Sequence, residues 1–162
     1  MSLDWSEPYH VCERDCVMMP EIQLYNRQRG QRPDMPWLRK VAKAAVPHCV
    51  AAAKVNESPL VQVGEVEISV VSDAEIARVH EDFLDDPTPT DVITFHHGEI
   101  LISADTAVRQ GAEHGLTLDR ELALYLIHGL LHLGGWDDHD ADEAAEMAGH
   151  QFRILDLVAP QR

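Results

Sequence analysis

One segment constrains the fold more than any other. Residues 118–133, LDRELALYLIHGLLHL, read as a helix that is apolar over most of its circumference. The side chains of a helix with so little polar surface are expected to be buried. Thr117 is a suitable cap at its start, and Gly134 with Gly135 ends it.

Two histidines of this helix, His128 and His132, lie four residues apart and project from one face. Imidazoles at that spacing can bind a single metal ion. Burying both rings among Leu and Ile is unfavourable unless every ring nitrogen has a partner, and a metal with outer hydrogen-bond acceptors supplies those partners. A hydrogen-bonded pair of core histidines is the alternative, and we favour the metal. Gly129 replaces the Glu that metalloproteases place after their first His, which disfavours a peptidase of that kind.

A third ligand can come from the segment WDDHD, which follows the double glycine. A chain that turns back after such a helix brings a further side chain under the ion and leaves one position for water. The residues in range are Asp137, Asp138 and His139.

Charge is distributed unevenly along the 162 residues, whose formal net charge is −15. This overall acidity at first argues against nucleic acid, and no DNA binding is expected. Residues 1–56 nevertheless carry eight basic and six acidic side chains, against five and 22 in residues 57–162. We predict that RNA lies along the basic segment, with an ordinary solvated helix face as the alternative. Its residues are Arg27, Arg29, Arg32, Arg39, Lys40 and Lys43.

The composition predicts one soluble domain, because 45% of the residues are hydrophobic, which is enough to form a core. The sequence contains no apolar run long enough to span a membrane. Cys12, Cys16 and Cys49 are too few for a disulfide framework, and we expect them to be reduced thiols. The N-terminal sequence has neither the basic nor the apolar region of a signal peptide. A cytoplasmic protein without membrane contact is expected.

Periodicity and turn signals predict an α+β fold, with a mixed sheet of about four strands packed with about five helices. Ser72 with Glu75, and Asp140 with Glu143, are each expected to form a reciprocal capping box at a helix start. Residues 1–19 are predicted to be an extension of uncertain order, and residues 20–160 a single domain. The predicted strands lie at 21–26, 61–71, 91–97 and 98–103, and Val66, Ile68 and Val70 alternate in the second half of the second strand. The predicted helices lie at 37–54, at 72–83, at 103–115 with Ser103 as its cap, from about 117 to 133, and from 140 onward.

Several motifs together resemble the YbeY endoribonuclease family. HGLLHLGGWDD is similar to the family's HGxLHLxGYDH, PTDVITF to PTDVLSF, GEILIS to GDIVIS, RELALYLIHG to RELxxLxxHG, and EIQLYNRQ to its opening strand. The resemblance covers about residues 20–158 in the family's order. Members are metal-dependent ribonucleases implicated in maturing the 3′ end of 16S rRNA and in ribosome quality control.

The resemblance implies a zincin-like metal helix and one zinc ion per chain, with His128 and His132 as the first two ligands. Asp138 stands where the family has its third His, and His139 follows one residue later. We favour Asp138 over His139, because Asp138 keeps the ten-residue offset from His128 and a carboxylate is an ordinary zinc ligand. The other residue of the two would then assist from outside the ligand set.

The chain departs from the family at a residue that bears on mechanism. Leu84 occupies the position where the family usually carries an Arg after an aromatic residue, and His80 occupies that of a common Asn. His80 and Glu99 are the candidates for proton transfer, with a surface histidine and a solvated strand acid as the respective alternatives. Asp91 is expected to brace a turn, and at most one of His96 and His97 can face the site.

The predicted function is a zinc-dependent, single-strand-specific endoribonuclease in rRNA processing and ribosome biogenesis. Its expected partners are single-stranded RNA, including rRNA, and the ribosome or small-subunit proteins. One alternative is a zinc-containing, ribosome-associated binding protein with weak or no nuclease activity. The other is a zinc hydrolase of a different substrate class.

Overall fold

Four strands and six helices make up residues 18–160, the part of the chain that this computed structural model describes. The predicted α+β class and four-stranded sheet are confirmed, and the sixth helix, a single turn, is additional. Residues 1–17 of the predicted extension lie outside the described residues, so the division into extension and domain stays a prediction. The strands are β1 Glu21–Asn26, β2 Glu65–Val71, β3 Val92–Phe95 and β4 Glu99–Ser103. The helices are α1 Met35–Ala51, α2 Pro59–Gln62, α3 Asp73–Leu84, α4 Ala104–His114, α5 Leu118–Leu133 and α6 Ala141–Val158.

The sheet has the order β1-β2-β4-β3, with β1, β2 and β4 parallel and β3 antiparallel at the edge. Strands β3 and β4 form a hairpin, in which Val92 pairs with Ile102 and Phe95 with Glu99. Gly98 turns the chain between them with a positive φ of 107°, and a Cβ there would lie 2.7 Å from the carbonyl oxygen of Glu65. Only glycine fits this turn without strain.

Helix α5 lies in the centre of the fold, and 11 of its 16 residues are buried, as its apolar composition predicts. It packs on one face of the sheet with α1, α4 and α6, where Ile100 and Ile102 of β4 join the main core. The intervening Leu101 points to the opposite face, into a smaller cluster with Ile76 of α3. This alternation follows from the two-residue period of a strand.

Gly129 allows the close approach of α5 to the sheet. A Cβ at this position would lie 2.8 Å from Cγ2 and 2.9 Å from Cδ1 of Ile100. The position that carries a catalytic Glu in metalloproteases therefore has no space for a side chain here, which gives a structural reason for its absence.

The predicted helix caps form at Ser72, Ser103, Thr117 and Asp140, whose side chains each accept the backbone N–H three residues on. The second bond predicted for each capping box, from the backbone N–H of the capping residue to the Glu side chain, is wrong. The carboxylate of Glu75 pairs with Arg78, and that of Glu143 accepts from Lys54 at 2.6 Å and from the Asp137 N–H at 3.1 Å. A nearby cation offers a carboxylate a stronger, charge-assisted bond than a neutral backbone N–H does.

Two further sequence-based expectations concern cysteine and membranes. Cys49 is a buried free thiol, and burial raises its pKa to about 12, so it stays protonated and unreactive. Cys12 and Cys16 lie outside the described residues. Across residues 18–160 no helix combines the length and apolar character needed to cross a bilayer.

Candidate metal centre and its cleft

His128 and His132 lie on one face of α5, one turn apart, and their Nε2 atoms face each other at 3.0 Å. The other ring nitrogen of each histidine, Nδ1, has a hydrogen-bond partner that orients the ring. His128 Nδ1 lies 2.9 Å from Oε1 of Gln151, on α6, and His132 Nδ1 lies 2.8 Å from the backbone carbonyl oxygen of Trp136. Because both partners are acceptors, both Nδ1 atoms carry the proton in the neutral rings.

The two Nε2 atoms therefore direct unprotonated lone pairs at one another. Two such lone pairs at 3.0 Å repel unless a cation or a shared proton lies between them. Burial lowers the pKa of His132, and the neighbouring His128 lowers it further, so the neutral imidazole is favoured. Neutral imidazole is the form that binds a metal ion.

Asp138 completes the group from the loop after α5. Its Oδ2 lies 3.6 Å from Nε2 of His128 and 3.9 Å from Nε2 of His132. These three residues form a possible metal-binding group, with one ligand atom of each lying within 4.8 Å of the others. Two imidazoles and one carboxylate are a donor set that suits a divalent transition metal and leaves a position for water. The residues present thus fit the predicted ion.

His139, the other candidate third ligand, is not part of this group. Its side chain is 91% exposed, and its Nε2 lies 3.5 Å from Oδ1 of Asp137. Asp137, Asp138 and His139 also form a second, fully exposed group of possible ligands. The structure therefore brings Asp138, and not His139, to the histidine pair.

The loop that carries Asp138 is held at several points. Gly135 adopts a positive φ of 96°, and a Cβ there would lie 3.0 Å from Cγ2 of Val55. The indole N–H of Trp136 donates to the carbonyl oxygen of Ala52 at 2.7 Å, which ties the loop to the end of α1. The bond from the Asp137 N–H to Glu143 adds a link to α6. These contacts fix the position of Asp138 beside His128 and His132.

The group opens into a cleft of ≈ 590 Å³ between α5, the edge strand β3 and the end of α3. The described residues that line this cleft include five histidines and three aspartates but no Lys or Arg. The Leu84 side chain, 64% exposed, forms part of the wall where the family usually has its Arg. The complete lining is His80, Leu84, Thr90, Asp91, Val92, Ile93, Thr94, His96, His128, His132, Gly135, Trp136, Asp137, Asp138 and His139.

His80, one of the two candidates for proton transfer, lies in the cleft wall with 15% of its side chain exposed. Its Nδ1 lies 2.8 Å from the carbonyl oxygen of Thr88, so in the neutral ring Nδ1 carries the proton and Nε2 has a free lone pair. Oδ2 of Asp86 lies 4.0 Å from that Nε2. His80 is thus held in one tautomer with its basic nitrogen available.

Glu99, the other candidate, is not among the residues that line the cleft. It begins β4, and its carboxylate lies 3.1 Å from Nε2 of His97. Of the adjacent histidines, His96 lines the cleft and His97 does not, although both lie in the turn after β3 and not on the predicted strand. Asp91 braces the start of β3, accepting the N–H of Val92 at 2.9 Å.

The structure does not bring the basic segment to the cleft, because none of its six residues is part of the lining. Arg27 pairs with Glu67 at 3.0 Å, and Arg39 donates to the carbonyl oxygen of Leu24 at 3.2 Å. Lys43 borders a second cavity of ≈ 370 Å³ beside β1. The remaining three, Arg29, Arg32 and Lys40, are exposed.

Sequence reasoning missed two groups that hold the histidine rings. Gln151 was not singled out, although it lies four residues after the buried Met147 and interrupts the apolar face of α6. A polar residue on such a face is a usable signal of a buried hydrogen bond. The Trp136 carbonyl had no signal, because a backbone group shows nothing in the sequence.

Comparisons with known proteins agree with this geometry. The family model described as Endoribonuclease YbeY matches residues 23–159. An Endoribonuclease YbeY of Syntrophotalea carbinolica is 33% identical over 154 residues, covering 87% of this chain and 95% of the relative. Another, of Streptomyces coelicolor, is 30% identical over 151 residues and covers 81% and 86%.

A solved structure is similar as well. A Thermotoga maritima protein, determined in solution, shares 26% of its sequence, with a TM-score of 0.55 over 85% of this chain and 88% of that one. The family model spans well over half of the chain, and the Syntrophotalea relative is matched over nearly its whole length. The chain therefore belongs to the endoribonuclease YbeY family.

Proposed function

We propose that this chain is a zinc-dependent endoribonuclease that cleaves single-stranded RNA. The observation that supports it most strongly is the pair of facing Nε2 atoms at 3.0 Å, with the Asp138 carboxylate beside them. Membership of the family supports RNA as the substrate. Its setting would be the cytoplasm, in rRNA processing at the 3′ end of 16S rRNA and in ribosome biogenesis, with the ribosome or small-subunit proteins as partners.

His128, His132 and Asp138 would hold the zinc ion. Bound there, zinc would lower the pKa of a bound water toward neutrality and polarise the scissile phosphate. Gln151 and the Trp136 carbonyl keep both rings in the tautomer that presents Nε2. Such outer partners orient metal ligands and raise their basicity.

His80 is the residue we assign to proton transfer. Its tautomer is set by the Thr88 carbonyl, so Nε2 can accept a proton from water or return one to the leaving oxygen. Glu99 was the other candidate, but its position beside His97 gives no support for a role in the cleft.

A second function has an observation in its favour. Leu84 and the lack of any Lys or Arg among the described cleft residues leave no cation to meet a phosphate. This favours a zinc-containing, ribosome-associated binding protein with weak or no nuclease activity. The third possibility, a peptide hydrolase, is disfavoured because Gly129 packs on Ile100 where a general-base Glu would be needed.

Cleavage of a short single-stranded RNA by the zinc-loaded protein tests the proposal, with the same sequence as a duplex and a short peptide as alternative substrates. We expect cleavage of the single strand alone. His128→Ala and Asp138→Ala should lose zinc and cleavage together, whereas His139→Ala is the matched control and should keep both. A zinc-loaded protein that binds the RNA but leaves it intact would contradict the nuclease and favour the binding protein.

A further inference from the structure

Three aromatic side chains form a continuous group at one side of the cleft. Phe83 lies in the last turn of α3, Phe95 is the last residue of β3, and His97 lies in the turn that follows. The rings of Phe83 and Phe95 meet edge to face, with centroids 5.0 Å apart. The rings of Phe95 and His97 are stacked, with centroids 5.6 Å apart and planes inclined by 19°. We call Phe83, Phe95 and His97 the aromatic rim.

None of the three rings of the aromatic rim lines the cleft itself. Each member is adjacent in sequence to a residue of the cleft wall, namely Leu84, Thr94 and His96. Phe95 is half-buried and packs against the smaller core, while Phe83 is 67% exposed and the His97 side chain 69% exposed. The rim thus combines a fixed inner ring with two rings whose surfaces face solvent.

Exposed aromatic surface beside a candidate active site is costly to keep in water, and it commonly marks a binding surface. The surroundings indicate which chemistry it suits. No Lys or Arg is among the described residues that line the adjoining cleft, and Asp82, Asp85 and Asp86 lie at or just beyond the end of α3, so the region repels phosphate groups. A nucleobase is uncharged and has a π face, and base stacking on aromatic rings tolerates any sequence.

We propose that the aromatic rim binds a base of single-stranded RNA that flanks the scissile phosphate, with the base stacked on the open face of His97 or of Phe83. This inference rests on the proposed function, because it takes RNA as the substrate. The orientation of His97 is set in advance by its stacking on Phe95 and by the contact of its Nε2 with Glu99 at 3.1 Å. A surface ordered before binding loses less side-chain entropy when the ligand arrives.

The exposed area of the aromatic rim is large enough for one base but too small for a protein interface. A stable protein interface buries roughly 800 Å² on each partner, far more than two exposed rings and one leucine supply. A base needs only one ring face.

The test uses a single-stranded oligoribonucleotide that contains 2-aminopurine, whose fluorescence is quenched when the base stacks. Binding is titrated with chelator present, so that cleavage does not interfere, and cleavage is then measured with zinc. We expect Phe83→Ala and His97→Ala each to weaken RNA binding about tenfold and to reduce the quenching. His97→Phe keeps a stacking ring without a charge and should retain wild-type affinity within about twofold.

Phe152→Ala is the matched control, since Phe152 is a 51% exposed phenylalanine of α6 outside the cleft lining. It should leave affinity and quenching unchanged. Thermal unfolding checks that every variant keeps its fold, and Phe95 is left intact because it packs in the core.

The inference is overturned if Phe83→Ala and His97→Ala bind and quench like the wild type, which is also the result expected if a protein occupies the rim. It is likewise overturned if His97→Phe loses affinity as fully as His97→Ala, because the imidazole charge would then be responsible. Failure of the proposed function has a different signature: the wild type quenches the fluorescence, the two alanine variants do not, and zinc produces no cleavage in any of them.

Discussion

Gln151 provides a sharp test of how the candidate metal centre is built. Its Oε1 holds Nδ1 of His128 at 2.9 Å, so Gln151→Leu removes the acceptor while keeping a side chain of similar size. Loss of such an outer partner typically weakens metal binding about 10- to 100-fold. This change corresponds to about 1.4 to 2.7 kcal/mol of zinc-binding free energy.

The same free energy appears in the stability of the zinc-loaded protein, since a ligand that binds only the native state stabilises it in proportion to its affinity. With zinc in excess over both dissociation constants, the zinc-dependent rise in Tm should therefore shrink by about 3 to 10 °C in Gln151→Leu. With chelator present, the Tm of the variant should change little by comparison.

Zinc affinity is measured by competition with a chromophoric chelator, and Tm with and without zinc by calorimetry. Gln151→Glu keeps an acceptor oxygen and should retain tight binding. Gln62→Leu, at an exposed position of α2, controls for the substitution itself. A zinc affinity of Gln151→Leu within about twofold of the wild type would refute the reasoning, because His128 would then need no orienting partner.

Three further predictions address packing, substrate charge and pH. Gly129→Ala should lower the free energy of unfolding by about 1 to 3 kcal/mol in urea titrations, because its Cβ would meet Ile100, and an unchanged midpoint would contradict this. Leu84→Arg should tighten RNA binding and steepen the plot of log affinity against log salt by about 0.7, whereas an unchanged slope would show that no phosphate passes this point. Burial of Asp73 opposes its ionisation, but hydrogen bonds led by that from Arg109 outweigh this and hold its pKa below the ordinary 3.8. The ionised Asp73 carboxylate therefore contributes its full stabilisation at pH values above 3.8, and this contribution is lost as the pH falls through the lowered pKa. In unfolding curves recorded at acidic pH, Asp73→Asn should not show this loss of stability.

Local signals in the sequence predicted the elements well. The alternation of Val66, Ile68 and Val70 predicts β2, and the polar residue before each apolar run predicts the helix starts at Ser103 and Thr117. Each of these depends on contacts within a few residues, so the sequence window contains the whole cause.

Contacts between distant parts of the chain were not predictable in the same way. Glu143 was expected to bond back to Asp140, but Lys54 lies 89 positions earlier in the chain and meets its carboxylate at 2.6 Å. The short helix α2 also escaped prediction, because a single turn has too few residues to show a period. Its last two residues were expected to begin the strand at 61–71, whereas β2 begins at Glu65.

In the candidate site, too, local features could be predicted from the sequence and long-range contacts could not. The spacing of His128 and His132 is a property of one helix and could be read directly. The choice of Asp138 over His139 depends on how the loop after Gly135 is tied to α1 and α6, which no local pattern records. Likewise, whether Glu99 faces the cleft depends on where the hairpin lies in the sheet.

The most direct test of the central claim is a crystal structure of the zinc-loaded protein, with anomalous scattering recorded at the zinc edge. We expect one ion per chain, about 2.0 to 2.2 Å from Nε2 of His128, Nε2 of His132 and a carboxylate oxygen of Asp138, with water at the remaining position. An ion bound by His139 in place of Asp138 would contradict the ligand assignment. A zinc-soaked protein with no anomalous peak between the two histidines would contradict the metal centre itself.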